Sequence, residues 1–287
     1  MTLRALYDAL RGRLKEGGVE AAAFEADCLL EHFAGLGRGT RPLHGGEEVS
    51  ETTVREALDA AARRTQGEPL QYLLGEWDFL DLTLEVGEGV LIPRPDTELL
   101  CETAADWLRN TLLPDSPSFA TVLDLCAGSG CVALGTARLF PGARVTAVEL
   151  SAQALPYLRR NCARYPDFDV TPMRGDVLND APAFPDGWTA ILSNPPYIPA
   201  ADLSGLMPEV QREPRLALDG GGDGMTFYRV IAEKWTKKLA PGGFCAVEVG
   251  IGQAAAVAAL FRNAGLTGIS VFRDLGGIER VVAGRKQ

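Results

Sequence analysis

Histidine is nearly missing from this chain: His32 and His44 are the only two in 287 residues. A structural zinc site needs four converging Cys or His ligands. The six cysteines (Cys28, Cys101, Cys126, Cys131, Cys162, Cys245) are scattered and form no C-x-x-C pair. No metal site is therefore expected, and the thiols read as buried or incidental. Long apolar runs are missing too, and none approaches the roughly 18 residues of a membrane span. Met1 to Leu14 carries Asp8 among its arginines without an uninterrupted apolar stretch, which argues against a signal or transit peptide. A cytoplasmic protein with no membrane contact is the expectation. Basic charge is also short, with 28 Lys and Arg against 38 Asp and Glu and a net charge of −10. Gripping a phosphate backbone calls for a basic surface, so no direct nucleic-acid contact is expected. Lysine is scarcer than arginine, five against twenty-three, a bias that follows from a GC-rich genome rather than from chemistry.

What is present is the composition of a soluble globular protein, 46% apolar and 23% charged, long enough for about two domains. The charge is uneven. Residues 1–90 hold nine Lys/Arg against seventeen Asp/Glu, a net −8, and residues 91–287 hold nineteen against twenty-one, a net −2. An acidic front end either steers a basic protein partner or is an ordinary solvated helical surface.

Residues 2–66 read as helical. Leu3, Leu6, Tyr7, Leu10 and Leu14 recur at three- and four-residue steps, one face of a helix. Phe24, Cys28, Leu29 and Phe33 make a second face, ended by Gly35 and Gly37. A third helix is predicted from about Ser50 to Arg64, with Thr53 and Glu56 at capping-box spacing. Between Glu76 and Ile92 the pattern alternates, with Gly87-Glu88-Gly89 in its middle, and predicts a β-hairpin. Pro93-Arg94-Pro95 breaks the strand, and Asp96 or Thr97 is placed to cap a helix reaching Leu113. Beyond it strands (121–126, 144–149, 169–173, 189–193, 243–249, 268–273, 279–283) alternate with helices (130–140, 152–164, 224–239, 253–264), and Pro114 to Pro117 and Pro182 to Pro185 read as loops. Such alternation means an α/β fold with a mostly parallel sheet covered on both faces. The expected division is a helical domain over 1–75, a hairpin linker over 76–92 and a ligand-binding domain over 93–287.

The strand at Thr121 to Cys126 runs into Ala127-Gly128-Ser129-Gly130 and then a helix. Glycines there let the chain turn sharply and let a ligand approach closer than any Cβ permits. Glu149 ends the second strand, where a carboxylate can accept from both ribose hydroxyls of a nucleoside. Gly128-x-Gly130-x-x-Ala133 also satisfies the dinucleotide fingerprint, so an NAD enzyme stays open at this point. Asp176, after the third strand, is placed to accept from an adenine amino group, though Gly-Asp is also a common turn.

Ser193-Asn194-Pro195-Pro196-Tyr197-Ile198 ends the fourth strand. Two prolines cannot continue a central strand, so the backbone leaves the sheet at its carboxyl edge, where open parallel sheets bind ligands. Asn194 offers a side-chain carbonyl, Pro195 a backbone carbonyl on a rigid chain, and Tyr197 a flat face. This suits a planar NH₂ group, whose two hydrogens can be held by two fixed acceptors while its lone pair turns toward an electrophile. No strong base is needed, because the nitrogen becomes acidic only as it is alkylated.

These motifs resemble the HemK/PrmC family, the peptide chain release factor glutamine N5-methyltransferases, along nearly the whole chain. The matching landmarks are Gln71 to Gly75 with Phe79, Leu91 to Glu98, Asp124 to Gly130, Ser193 to Ile198, Glu213 to Leu218 and Arg273 to Gly277. The resemblance implies a Rossmann-like class I methyltransferase domain with a seven-stranded, mostly parallel sheet, preceded by a small helical domain and a β-hairpin linker. It implies S-adenosylmethionine as cofactor, held by Cys126, Ala127, Gly128, Ser129, Gly130, Glu149, Asp176, Val177 and Asn194. It further implies catalysis by Asn194, Pro195, Pro196 and Tyr197 on the glutamine of a release factor's Gly-Gly-Gln loop. Apart from the resemblance, a monomer is the expectation. Three departures stand out: Cys126-Ala127 where the family often has Gly-Thr, Thr189 for a frequent Asp, and Val177 for a frequent aromatic. The rivals are an adenine-N6 methyltransferase of nucleic acid, which would share Asn-Pro-Pro-Tyr, and an inactive S-adenosylmethionine-binding module.

Overall fold

A computed structural model of the chain describes residues 1–36, 39–111 and 119–287. The expected stop at Gly37, the helix end at Leu113 and the loop from Pro114 to Pro117 lie outside these residues. The described chain forms two compact units, Met1–Glu76 with Met207–Arg212, and Trp77–Leu206 with Glu213–Gln287.

The first unit is built on α1 (Leu3–Glu16), α2 (Ala22–Ala34), α3 (Arg41–His44), α4 (Glu51–Arg64) and α5 (Leu70–Leu74). Thr2 caps α1 through its side chain, and Leu3, Leu6, Leu10 and Leu14 are the buried stripe. Each such leucine contributes roughly 1.5–3 kcal/mol by leaving water. On α2 the expected face is corrected: Phe24 is 52% exposed, and Ala22, Ala26, Leu29 and Leu30 go inside. Small alanines let α2 approach the equally small Ala57, Ala60 and Ala61 of α4. The capping of α4 is also corrected, since Ser50 is the cap and accepts from the Thr53 N–H at 3.1 Å. Two acids buried on α2 are paired, Glu25 with Arg64 at 2.7 Å and Asp27 with Arg41.

In the second unit β1 (Glu76–Phe79) and β2 (Leu82–Glu85) form a two-stranded sheet. The hairpin is tighter than its sequence pattern predicts. It turns at Leu80-Asp81, where Leu80 has φ 53°, and the Gly87-Glu88-Gly89 stretch follows it as a loop. Phe79 is fully buried and lies where a Cβ on Gly135 would come within 2.9 Å, so packing rather than turn chemistry sets the reversal. Neither Asp96 nor Thr97 caps α6 (Glu98–Thr111): both lie in a 3₁₀ turn whose side chains bond elsewhere.

The remaining strands are β3 (Ala120–Leu125), β4 (Ala143–Glu149), β5 (Val170–Arg174), β6 (Trp188–Ser193), β7 (Leu239–Glu248), β8 (Leu266–Arg273) and β9 (Glu279–Lys286). They form one seven-stranded sheet in the order β5-β4-β3-β6-β7-β9-β8. β3 to β7 run parallel, and β9 is antiparallel to both β7 and β8. Between the strands lie α7 (Cys131–Leu139), α8 (Leu155–Arg164), α9 (Arg215–Leu218), α10 (Thr226–Val230) and α11 (Ala254–Asn263). Alternate strand residues feed two cores. Val122, Ala190 and Leu192 pack with α6, α7 and α8, whereas Leu123, Leu125 and Ile191 pack with Tyr228, Trp235 and Phe261. The helix predicted over 224–239 is interrupted, since α10 passes into a π turn at Ile231–Trp235 and a 3₁₀ turn at Thr236–Lys238. Among the described residues no helix is long and apolar enough to cross a membrane. Chain order reverses at β3, whose neighbours are β4 on one side and β6 on the other. That switch point opens a crevice at the strands' carboxyl ends.

Candidate active site

The crevice begins with the turn after β3. Cys126 (φ 64°), Gly128 (φ 56°) and Gly130 (φ 89°) are all left-handed. For Cys126 that conformation is strained by roughly 1–2 kcal/mol, a cost that glycine would not carry. The two glycines differ in purpose. A Cβ on Gly130 would meet Leu158 of α8 at 2.7 Å, whereas a Cβ on Gly128 would meet nothing within 4 Å. Gly130 serves helix packing and Gly128 keeps an open approach to the backbone. Asn161 of α8, fully buried, donates to the Ser129 carbonyl at 2.9 Å and the Glu85 carbonyl at 3.0 Å, anchoring the turn to β2.

Glu149 faces this turn from the end of β4. Its Oε2 accepts the Gly128 N–H at 2.8 Å and its Oε1 accepts the Ser151 N–H at 2.6 Å. Burial raises its pKa above the usual carboxylate value, and these backbone donors oppose the rise. Asp176, beyond β5, accepts the Leu178 N–H at 2.8 Å and the Asn179 side-chain amide at 2.7 Å. The carbonyl of Val177 accepts the Trp235 indole N–H at 2.8 Å. Asp124, in β3, is fully buried, and desolvation pushes its carboxyl well above the ordinary range.

At the end of β6 the Ser193 hydroxyl donates to the Leu125 carbonyl at 2.6 Å, tying the proline corner to β3. The Asn194 Nδ2 donates to Thr97 Oγ1 at 3.0 Å, which leaves Asn194 Oδ1 as the acceptor end. The Tyr197 carbonyl accepts from Gln253 Nε2 at 2.9 Å, and the Ile198 N–H donates to the Leu218 carbonyl at 3.0 Å. Close contacts brace the corner, because a Cβ on Gly250 would stand 3.0 Å from Tyr197 Cδ2. Burial raises the Tyr197 phenol pKa well above its usual value.

One cleft, with about 1010 Å³ of empty space including its open mouth, unites these parts. Cys126, Ala127, Gly128, Ser129, Glu149, Asp176, Val177, Asn194 and Pro196 line it, whereas Gly130, Pro195 and Tyr197 are not among its lining residues. Gly130 stands behind the turn against α8, and Tyr197 sits half-buried beside Gly250. Part of the wall was not assigned from sequence. Leu91 to Arg94 and Pro214, Leu216 and Ala217 face the same space. Buried Glu213 joins the two segments by accepting the Ile92 N–H at 3.0 Å and pairing with Arg94. Both segments belong to the quoted motifs, so the signal was present without a role attached. Glu248 at the end of β7 was missed as well. It is 1% exposed, and burial pushes its pKa up to about 7, with the neighbouring Thr97 and Tyr197 side chains opposing the rise.

With this geometry in place, the likeness to known proteins is specific. The PrmC N-terminal domain family matches residues 5–75, and the Methyltransferase small domain family matches residues 101–225. The release factor glutamine methyltransferase of Geobacter sulfurreducens is 41% identical over 285 residues, covering 99% of this chain and 96% of that protein. The release factor glutamine methyltransferase of Gloeobacter violaceus is 43% identical over 265 residues, covering 91% and 89%. A methyltransferase crystal structure from Pyrococcus furiosus superposes with a TM-score of 0.51 at 17% identity, covering 83% of this chain and 99% of that one. This last likeness is one of fold.

Proposed function

Because the chain belongs to the release factor glutamine methyltransferase family, we propose that it transfers a methyl group from S-adenosylmethionine to N5, the side-chain amide nitrogen of the glutamine in a release factor's Gly-Gly-Gln motif. The observation that carries this reading is the single cleft lined by both Glu149 of β4 and Asn194 after β6. A nucleoside anchor and an amide-holding corner thus open onto one space.

The residues fit that cofactor. Open space over Gly128 lets a ligand lie against the backbone. An ionised carboxylate has about four lone-pair sites, so Glu149 keeps acceptor capacity for ribose hydroxyls beyond its two backbone bonds. Asp176 is the acceptor for the adenine amino group, with Val177 as an apolar wall beside it and the Cys126 to Gly130 turn beneath. When bound, S-adenosylmethionine supplies an electrophilic methyl on a positively charged sulfur.

The chain's own residues orient the nucleophile. Asn194 Oδ1 and the Pro195 carbonyl accept the two N–H groups of the glutamine amide. Pro195 and Pro196 keep that corner rigid, and Tyr197, backed by Gly250, borders the amide. Holding both hydrogens directs the nitrogen lone pair out of conjugation and toward the methyl. The nitrogen gains a methyl and gives up one proton to solvent, so no strong base is required.

The helical domain at 1–75, in the acidic part of the chain, is the proposed recognition element for the release factor, with 76–92 as linker and 93–287 as the catalytic domain. Net charge supports a protein substrate rather than nucleic acid. On this reading the enzyme acts as a cytoplasmic monomer.

The test is incubation with labelled S-adenosylmethionine and purified release factor, followed by peptide mass analysis of the Gly-Gly-Gln loop. One methyl on that glutamine is expected. Transfer to adenine in nucleic acid instead would overturn the reading.

A further inference from the structure

An asparagine side chain can present either of two opposite ends to a ligand, an accepting Oδ1 or a donating Nδ2. Holding the hydrogens of a substrate amide requires the accepting end. In this structure Asn194 Nδ2 is committed to Thr97 Oγ1 at 3.0 Å. A threonine hydroxyl, however, can accept or donate, and by itself would allow the reversed pairing, with its own proton on Oδ1.

Glu248 removes that freedom. β6 and β7 pair with Ser193 opposite Val247, which sets Glu248 beside Asn194 at the carboxyl edge of the sheet. The Thr97 side chain lies near enough to the Glu248 carboxyl to hold its pKa down against the burial that raises it. An ionised carboxylate only accepts, so above its pKa of about 7 Glu248 draws the Thr97 proton toward itself, and a lone pair of Thr97 is left for Asn194 Nδ2. Thr97 is 0% and Glu248 1% exposed, so water cannot substitute for either partner. The 3₁₀ turn carrying Thr97 is itself fixed, because the neighbouring Asp96 pairs with Arg280 of β9 at 2.7 Å.

We propose that Thr97 and Glu248 are positioning residues that hold the Asn194 amide with Oδ1 toward the cleft, an assignment that rests on the amide-methylation reading above. This arrangement explains a buried carboxylate that packing does not require. An apolar side chain there would avoid the desolvation cost of an ion but would leave the Thr97 proton undirected. Burial raises the Glu248 pKa to about 7, so the orientation is set above that pH, where the carboxyl is ionised.

The test compares kcat, KM for the release factor and cofactor affinity at pH 8.5 for Thr97→Val, Thr97→Ser, Asn194→Ala and the Thr97→Val/Asn194→Ala double variant. Thr97→Val is expected to lower kcat between about ten- and a hundredfold, with cofactor affinity within about twofold of the parent. Thr97→Ser restores the hydroxyl and is expected to restore most of kcat. In the Asn194→Ala background the valine is expected to cost little more, because the two residues act through one bond. Unchanged kcat in Thr97→Val would overturn the proposal. So would failure of the serine to rescue, or an equal loss with and without Asn194. The unmodified chain serves as control: methylation of the glutamine there with any of these failures overturns the relay alone. No methylation by the unmodified chain overturns the functional reading and the relay with it.

Discussion

The Gly128 amide donates to Glu149 Oε2 at 2.8 Å, so the glycine turn after β3 and the acid ending β4 are locked together by the fold itself. The carboxylate therefore has a fixed aim. Glu149→Ala removes both the proposed ribose acceptor and the partner of Gly128. Hydrogen bonds to charged groups contribute about 1.5–3 kcal/mol each, so cofactor affinity should fall between about ten- and a hundredfold. Titration calorimetry with S-adenosylmethionine measures this directly, and unchanged affinity would remove Glu149 from the site.

The two glycines of the turn should fail differently when given a Cβ. Gly130→Ala drives a methyl to 2.7 Å from Leu158 Cδ1 at φ 89°, combining overpacking with backbone strain. A loss of about 1–3 kcal/mol of stability is expected, read from a denaturant melt. Gly128→Ala meets nothing within 4 Å and costs the fold only its left-handed strain. Its methyl fills the space reserved for ligand, so the main loss should be in cofactor affinity. Equal effects of the two variants on both measurements would contradict this division.

Asn194→Ala leaves the glycine turn and Glu149 untouched. Cofactor affinity should stay within about twofold, while kcat falls by about 10²-fold or more, as when one preorganised polar group is deleted. Turnover near that of the parent would sink the assignment of Asn194 as holder of the amide.

The α/β order of the second unit was legible because buried parallel strands are short apolar runs. Thr121 to Cys126 and Thr189 to Ser193 announce themselves, and the observed strands begin and end within a residue of them. Other features depend on neighbours distant in sequence. Gly87 and Gly89 are stronger local turn signals than Leu80-Asp81, yet burial of Phe79 against Gly135 decides where the hairpin turns. Phe24 has helical spacing and still lies outside, because close approach of α2 and α4 selects the alanine face. In the site, Gly128, Glu149, Asp176 and Asn194 could be singled out because each sits at a strand end. Thr97 bonds to Asn194 across 97 positions, and Glu213 to Ile92 across 121. Such pairs have no periodicity or spacing by which one chain could reveal them.

Glu248 gives the protein a pH dependence of stability whose sign follows from its burial. In the folded chain its pKa stands at about 7, above the ordinary 4.5. Below pH 4.5 the group is protonated in both folded and unfolded chains and opposes folding in neither. Between pH 4.5 and 7 the unfolded chain ionises first, so stability is lost as pH rises, by about 3 kcal/mol once the folded group has also ionised. Above pH 7 the loss is constant. Glu248→Gln keeps the shape of the neutral acid and does not titrate, so it lacks this loss. The melting temperature of Glu248→Gln relative to the parent should therefore be several degrees more favourable at pH 8.5 than at pH 5.5. Activity should move the other way, because a glutamine can donate to Thr97 Oγ1 and free the hydroxyl to turn toward Asn194 Oδ1. A variant no more stable at pH 8.5 than at pH 5.5, relative to the parent, would show that Glu248 is not the buried titrating acid.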